Sequence, residues 1–525
     1  MRVLVADGLA EEGLNRLRDA GEVVVHRGLS EDELCGLLPE AEAVVVRSRT
    51  RVTSRALRDA GRLRVIARAG VGVDNIDVDA ATRRGILVLN TPDSSTTAAA
   101  EHTLAMVLSL VRRIPQAHAS LAAGEWARDK FLGIELAGKT LGVAGLGKIG
   151  SEVARRARAF QMRVLAYDPY VTEERARRLD VELAPWDAVL RESDILTLHV
   201  PLRSDTTALI GPGELAIMKP GARLVNCARG GLVDETALLD ALNRGAIAGA
   251  ALDVFEEEPP RPGHPLIGHP RVVATPHLGG STVEAQRLIA VEIADQVLAA
   301  LNGAPVRGAV NAPALGTEVW QRLDPFMRLT DTLGSLTQQL VEGQVAAVSL
   351  SYEGEVAQLQ TDPLTAAFLV GLLRHVSDEP VNPVNAVVVA KERGLRVSES
   401  RTDLCEDFAS QVLAEIQTSH GTFHIGGTLF GHREPKITQL NGWELDLAPA
   451  PEMLFVWNAD RPGMIGRVGT ILGRHRVNIA NMHVGRRNAG GEAVMVLTLD
   501  APPPAAAVEE MTTADGITAV RHVRL

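Results

Sequence analysis

Short apolar runs separated by amphipathic stretches open the chain. Val3-Leu4-Val5, Val23-Val24-Val25, Ala43-Val44-Val45-Val46, Val65-Ile66-Ala67 and Ile86-Leu87-Val88-Leu89 are continuous apolar runs, and segments such as Glu11 to Ala20 between them carry a helical period. Strands with no polar face, alternating with helices, predict a parallel sheet covered on both sides. Ala98 to Val111 reads as a long helix. Thr140–Ala144 then starts a second series, continuing through Arg163–Tyr167, Ile195–His199, Arg223–Asn226, Ile247–Leu252 and Val272–Ala274. Another long helix, Ser281 to Asn302, stops at Asn302-Gly303. It is expected to partner Ala98 to Val111 as a pair of hinges, with the residues after 282 completing the first unit.

Past about residue 315 the texture changes. A helical pattern from Trp320 to Val341 is followed by strands such as Ala346–Tyr352 and Gly421–Phe430. From Met453 the order is strand, helix, strand, strand, helix, strand, with a turn at Asn488-Ala489-Gly490-Gly491. That is the ferredoxin-like order. The expected fold class is α/β: two doubly wound parallel-sheet domains of Rossmann or flavodoxin type, then an α+β domain and a ferredoxin-like domain. The expected divisions are 1–97 plus 283–314, 98–282, 315–452 and 453–525.

Composition narrows the partners. With 525 residues, 46% hydrophobic and 23% charged, the chain is long enough for three to four cores and is neither disordered nor a disulfide scaffold. A net charge of −11 disfavours nucleic acid and anionic membranes. Cys35, Cys227 and Cys405 have no paired spacing, so a reducing compartment is expected. Met1 to Asp7 is a short strand without the apolar core of a signal peptide, and no run is long enough to span a bilayer. A cytoplasmic protein follows from these readings. Arg outnumbers Lys 48 to 6, so a single Arg is uninformative unless its position makes it otherwise.

The position of Gly145-Leu146-Gly147-Lys148-Ile149-Gly150 is informative. It follows the apolar strand Leu141–Ala144 and opens a helix pattern. Gly145 permits a tight turn, Gly147 lets a pyrophosphate approach the backbone, and Gly150 lets helix and strand pack closely. Asp168, eighteen residues after Gly150, ends the next strand, where a carboxylate accepts ribose hydroxyls and repels a 2′-phosphate. The cofactor expected is therefore NAD rather than NADP.

Three polar residues follow later strands of the same unit: Arg229, Glu258 and His277. In an open α/β sheet, loops beyond the strand carboxyl ends converge on the ligand. His277 suits a base that takes a hydroxyl proton, Glu258 can orient and stabilise the imidazole, and Arg229 can hold a carboxylate and polarise a carbonyl. On the first unit, Arg47-Ser48-Arg49-Thr50 and Arg68-Ala69-Gly70 follow strands and face the same crevice, as cations for a phosphate would.

On Gly145–Gly150, Asn226–Gly231, Ala251–Pro259 and Pro276–Gly280 the chain resembles the D-2-hydroxyacid dehydrogenase family. Over essentially its whole length it resembles the family's long-form branch with two C-terminal domains, which acts on D-3-phosphoglycerate. The resemblance makes Arg229, Glu258 and His277 the catalytic triad. It lines the NAD site with Gly145, Gly147, Lys148, Ile149, Gly150, Asp168, Pro201, Thr206, Cys227, Ala228, Asp253 and Gly279, with Asp253 touching the nicotinamide amide. It implies that Arg47, Arg49 and Arg68 contact phosphate and carboxylate, and that Gly70 donates its N–H. It also implies that Arg128 and Lys130 reach the neighbouring subunit's site. The region 315–452 becomes an intervening domain for an anionic effector, with Arg433 and Lys436 as its cations. Asp460-Arg461-Pro462-Gly463 and Val477-Asn478-Ile479 resemble an ACT domain, implying that Asn458, Asp460 and Asn478 hold L-serine as an effector. A homotetramer is expected. Two alternatives stay open: a dehydrogenase for another acid, such as 2-hydroxyglutarate or glyoxylate, and a non-catalytic NAD-sensing protein.

Overall fold

A computed structural model describes residues 1–377, 380–486 and 488–525. The first sheet contains β1 (Arg2–Val5), β2 (Glu22–Val25), β3 (Ala43–Val46), β4 (Val65–Arg68) and β5 (Leu87–Leu89), all parallel, in the order β2-β1-β3-β4-β5. The period of two along each strand divides its side chains between two cores. Leu4, Val44, Val46 and Ile66 pack with Leu34 and Leu57 on one face, while Val3, Val5, Val45 and Ala67 pack with Leu14, Leu17, Ile289, Ile293 and Val297 on the other. The helix Val283–Leu301 therefore covers the first sheet. The chain after it is stitched on by Asn311, which donates to Ile86 O and accepts from Val88 N.

The second sheet contains β6 (Thr140–Ala144), β7 (Arg163–Tyr167), β8 (Glu182–Leu183), β9 (Ile195–Leu198), β10 (Arg223–Asn226), β11 (Gly249–Leu252) and β12 (Val272–Ala274). Its order is β12-β11-β10-β9-β6-β7-β8, all parallel, so the winding reverses between β6 and β9. The helix Thr96–Arg112 packs here, with Leu104, Val107 and Val111 among Leu141, Val143 and Val164. The two long helices connect the lobes, but each buries its apolar side on a different sheet rather than along the other.

The third sheet is mixed: β13 (Val345–Gly354), β14 (Arg396–Thr402), β15 (Ser410–Thr418), β16 (Gly421–Phe430), β17 (Glu434–Leu440) and β18 (Trp443–Leu447), with only β13 and β14 parallel. The fourth is antiparallel: β19 (Glu452–Ala459), β20 (Ile479–Arg486), β21 (Glu492–Leu499) and β22 (Ile517–Arg524), in the order β20-β21-β19-β22. Two helices cover one of its faces through Leu454, Val456, Val468, Ile471 and Met511. The opposite face, Met453, Phe455, Val494, Val496 and Val523, joins the apolar core of the third sheet, so the last two sheets share one core. Among the described residues no helix is long and apolar enough to cross a membrane.

Candidate active site

The carboxyl ends of the second sheet carry the glycine turn. Gly145 has φ of 91°, and a Cβ on it would meet His199 O at 2.7 Å. A Cβ on Gly150 would collide with Gly145 O, whereas one on Gly147 would meet nothing within 4 Å. Two glycines are thus required by the protein's own packing, and the third leaves open ground at the start of the helix Lys148–Ala159. The unsatisfied amides of that first turn favour an anion. Asp168 is fixed beside the turn: Oδ2 accepts from Leu146 N at 2.8 Å and Oδ1 from Tyr170 N at 2.9 Å. This cradle fits a dinucleotide pyrophosphate and its ribose.

Around it, Lys148 ion-pairs with Asp93, Ile149 is half-buried, and Thr206 donates to Pro201 O at 2.7 Å and accepts from Arg203 N at 2.8 Å. The Cys227 residue is half-buried, and its thiol pKa is pushed up to about 12, first by desolvation and then by Asp253. It is therefore a neutral apolar wall, not a nucleophile. Asn226 shapes the next turn, its side chain accepting from Ala228 N at 3.0 Å and donating to Arg229 O at 2.7 Å.

His277 stands on left-handed backbone, φ 55°, a costly conformation for a non-glycine residue that is common at working sites. Its N–H donates to Asp253 O at 2.9 Å. Nδ1 lies 2.7 Å from Glu258 Oε2, and Glu258 Oε1 accepts from Phe255 N at 3.2 Å. Both side chains keep over a third of their surface open. Arg229 donates from Nε to Asp74 Oδ2 at 3.0 Å and from Nη1 to Ala228 O at 2.7 Å. It thereby joins the second sheet's loops to those of the first.

Asp253 has a duty that spacing does not reveal. It is 1% exposed, with Oδ1 accepting from Thr275 Oγ1 at 2.6 Å and Leu278 N at 2.7 Å, and Oδ2 from Gly279 N at 2.9 Å. His102 Nε2 lies 3.0 Å from Oδ1. Burial works against this charge, but the hydrogen bonds from His102, Thr275 and Leu278 outweigh it, and the pKa falls below the usual range. Asp253 therefore holds the loop on which His277 stands.

The first sheet supplies cations. Burial lowers the pKa of Arg68 to about 10, with Arg229 and Arg47 adding repulsion and Asp74 and Asp7 opposing it. Burial likewise lowers Arg47. Arg68 Nε is buried without a hydrogen-bond partner among the described residues. A desolvated, under-satisfied guanidinium beside two others fits an anionic ligand. Arg49 is exposed at the rim.

Gly70 N–H donates to Arg68 O at 2.8 Å, and a Cβ on Gly70 would collide with the Arg68 guanidinium. Asp7 and Asn75 were missed by the sequence reading. Buried Asp7 accepts from Arg47 N at 2.6 Å and Thr50 Oγ1 at 3.0 Å, and Asn75 donates to Arg47 O at 2.7 Å. Arg128 and Lys130 lie on an exposed turn, Lys130 paired with Glu125 at 3.3 Å.

In the fourth sheet the three effector candidates are not brought together by one chain. Register sets Asn458 opposite Ala493, but Ile479, beside Asn478, opposite Leu499 at the other end. Asn458 is 3% exposed with Oδ1 lacking a partner among the described residues, Asp460 accepts from Gly490 N at 3.0 Å, and Asn478 donates to Asp500 at 2.6 Å. In the third sheet Lys436 pairs with Asp446 at 2.9 Å, while Arg433 lines an open cavity with Arg322 and His432.

Residues 104–279 match the family model of the D-isomer specific 2-hydroxyacid dehydrogenase NAD binding domain, 322–441 that of the D-3-phosphoglycerate dehydrogenase intervening domain, and 453–515 that of the ACT domain. A D-3-phosphoglycerate dehydrogenase of Archaeoglobus fulgidus is 42% identical over 528 residues, covering 100% of both chains. One of Bacillus subtilis is 42% identical over 527 residues, 100% of this chain and 99% of that one. Among solved structures, the TT0316 protein from Thermus thermophilus is 39% identical with a TM-score of 0.56, spanning 59% of this chain and 100% of its own. D-lactate dehydrogenase from Aquifex aeolicus, complexed with NAD and lactic acid, is 32% identical with a TM-score of 0.52, spanning 58% and 96%.

Proposed function

The chain belongs to the D-3-phosphoglycerate dehydrogenases, an NAD-dependent branch of the D-2-hydroxyacid dehydrogenases, and from that membership we propose that it oxidises D-3-phosphoglycerate to 3-phosphohydroxypyruvate, the first step of L-serine synthesis. One observation carries the reading. An imidazole–carboxylate pair at 2.7 Å on one lobe, and on the other an arginine, Arg68, whose buried Nε has no partner among the described residues, are linked through the Arg229–Asp74 ion pair.

When bound, NAD supplies the acceptor for the hydride leaving the substrate's C2. Gly145, Gly147, Lys148, Ile149, Gly150 and Asp168 would hold its pyrophosphate and ribose, and Pro201, Thr206, Cys227, Ala228, Asp253 and Gly279 the remainder. His277 directs Nδ1 at Glu258, so Nε2 is the nitrogen that takes the hydroxyl proton. The Glu258 carboxylate stabilises the imidazolium that results. Arg229 orients the substrate carboxylate and polarises the forming carbonyl. Arg47, Arg49 and Arg68 receive the phosphate, with Arg128 and Lys130 reaching the same phosphate from a neighbouring copy.

The division into 1–97 plus 283–314, 98–282, 315–452 and 453–525 gives this chemistry a substrate lobe, a cofactor lobe, an intervening domain and an ACT domain. L-serine is the proposed effector. Asn458 and Asp460 at one sheet end and Asn478 at the other form one site only if a second ACT domain completes it, which supports a homotetramer built by pairing catalytic lobes and ACT domains. A cytoplasmic enzyme fits free cysteines. The test is spectrophotometric: NADH with phosphohydroxypyruvate should lose absorbance and serine should slow the loss. No loss with this oxo acid, beside turnover of 2-oxoglutarate or glyoxylate, would reassign the substrate.

A further inference from the structure

Glu235 and His264 take no part in the proposed chemistry, yet they are bonded to the segment that carries it. Glu235 opens the helix Glu235–Arg244. Its Oε2 lies 2.9 Å from His264 Nε2, and both side chains are more than four-fifths buried. Glu235 Oε1 accepts from Glu256 N at 2.8 Å, and Glu256 Oε1 accepts from Glu235 N at 3.4 Å. The His264 ring meets Phe255 edge-on, centroids 5.5 Å apart. From the other side the Phe255–Glu256 peptide lies against Gly230, where a Cβ would collide with it. Phe255 N–H donates to Glu258, and Glu258 meets His277. Phe255, clamped through the peptide on its carboxyl side, therefore connects the loop of Arg229 to the carboxylate behind the catalytic imidazole.

A buried carboxylate–imidazole pair is a poor device for stability alone, since desolvation offsets most of its attraction. His264 Nδ1 is also buried without a partner among the described residues, a further cost. We propose that Glu235 and His264 are positioning residues for Glu258, an inference that rests on the reading of Glu258 and His277 as the acid–base pair. They fix the Phe255 N–H that holds one carboxylate oxygen and so aim the other at His277.

The experiment uses the full chain with Glu235→Ala, Glu235→Gln and His264→Phe. Gln keeps an acceptor for Glu256 N, and Phe keeps a ring against Phe255 while deleting the bond to Glu235. The readouts are kcat and KM for phosphoglycerate, the isotope effect with C2-deuterated substrate, NAD affinity, and amide exchange at Glu256. Glu235→Ala should lower kcat by about 10- to 100-fold, the cost of displacing reacting groups by roughly an ångström. KM and NAD affinity should stay within about twofold, the isotope effect should rise, and the Glu256 amide should exchange faster. Glu235→Gln should recover most of kcat. Unchanged kcat in a folded Glu235→Ala, or equal losses in Ala and Gln, overturns the proposal. If Glu235→Ala does not fold, His264→Phe decides on the same readouts. A wild type inactive on phosphoglycerate would instead sink the substrate reading, and the Glu256 amide would still decide whether Glu235 holds the peptide.

Discussion

The two parallel sheets share a winding rule and differ in what their carboxyl ends display. The first sheet ends in guanidinium groups, two of them desolvated, held by buried Asp7 and by Asn75. The second ends in a glycine turn of bare amides, a carboxylate fixed at β7, and the His277–Glu258 pair. Similar scaffolds thus present different chemistry, one a cluster of guanidinium groups and the other bare amides with an imidazole–carboxylate pair. The difference teaches that the sheet fixes where a ligand goes while loop chemistry fixes which ligand it is.

The sharpest way to break the comparison is to remove the proton acceptor. His277→Asn should lower kcat by at least about 100-fold, the lower end of general-base effects, and leave NAD affinity little changed. Steady-state turnover beside NAD titration checks this, and turnover near wild type would take the base away from His277.

On the other lobe, Arg68→Ala should raise KM for phosphoglycerate about 10- to 100-fold, the worth of one charge-assisted hydrogen bond. An unphosphorylated 2-hydroxy acid should be affected far less. Equal losses on both substrates would move the phosphate elsewhere. Inorganic phosphate should likewise raise the Tm of the wild type more than that of the variant.

Most of this division was legible in the sequence because both lobes announce themselves locally. Continuous apolar strands, a glycine turn after a strand, and polar residues just past strand ends need no tertiary information. What escaped was what the residues do to one another. Asp253 reads as a ligand contact from its motif, and only the fold reveals a carboxylate turned inward to hold the His277 loop. Gly70 reads as a donor, and only the approach of Arg68 shows that its missing Cβ is what counts. Asp7 looked like the end of a strand and is the anchor of Arg47.

The glycines sharpen the comparison within the cofactor lobe. Gly150→Ala drives a methyl into Gly145 O and should cost about 1–3 kcal/mol of stability, as overpacking does. Gly147→Ala adds a methyl to open space at negative φ and should leave Tm unchanged while weakening NAD binding. Denaturant unfolding together with NAD titration separates them, and equal stability losses would mean that Gly147 also serves packing.

The smallest effect concerns the wall behind the glycine turn, and it distinguishes the lobes by pH. His199 is half-buried beneath Gly145 and Gly150, its Nε2 3.0 Å from Thr197 Oγ1, and desolvation lowers its pKa from 6.5 to about 4. The unfolded chain therefore binds a proton between those values that the folded chain refuses. Stability is complete well above pH 6.5 and declines as pH falls toward 4, by roughly 1–2 kcal/mol at pH 5.5. His199→Gln keeps a partner for Thr197 without a titrating group, so it should flatten this part of the stability profile. Thermal melts of both proteins from about pH 7 to about pH 4.5 measure it. Parallel curves would show that the acid sensitivity of the cofactor lobe arises from groups other than His199.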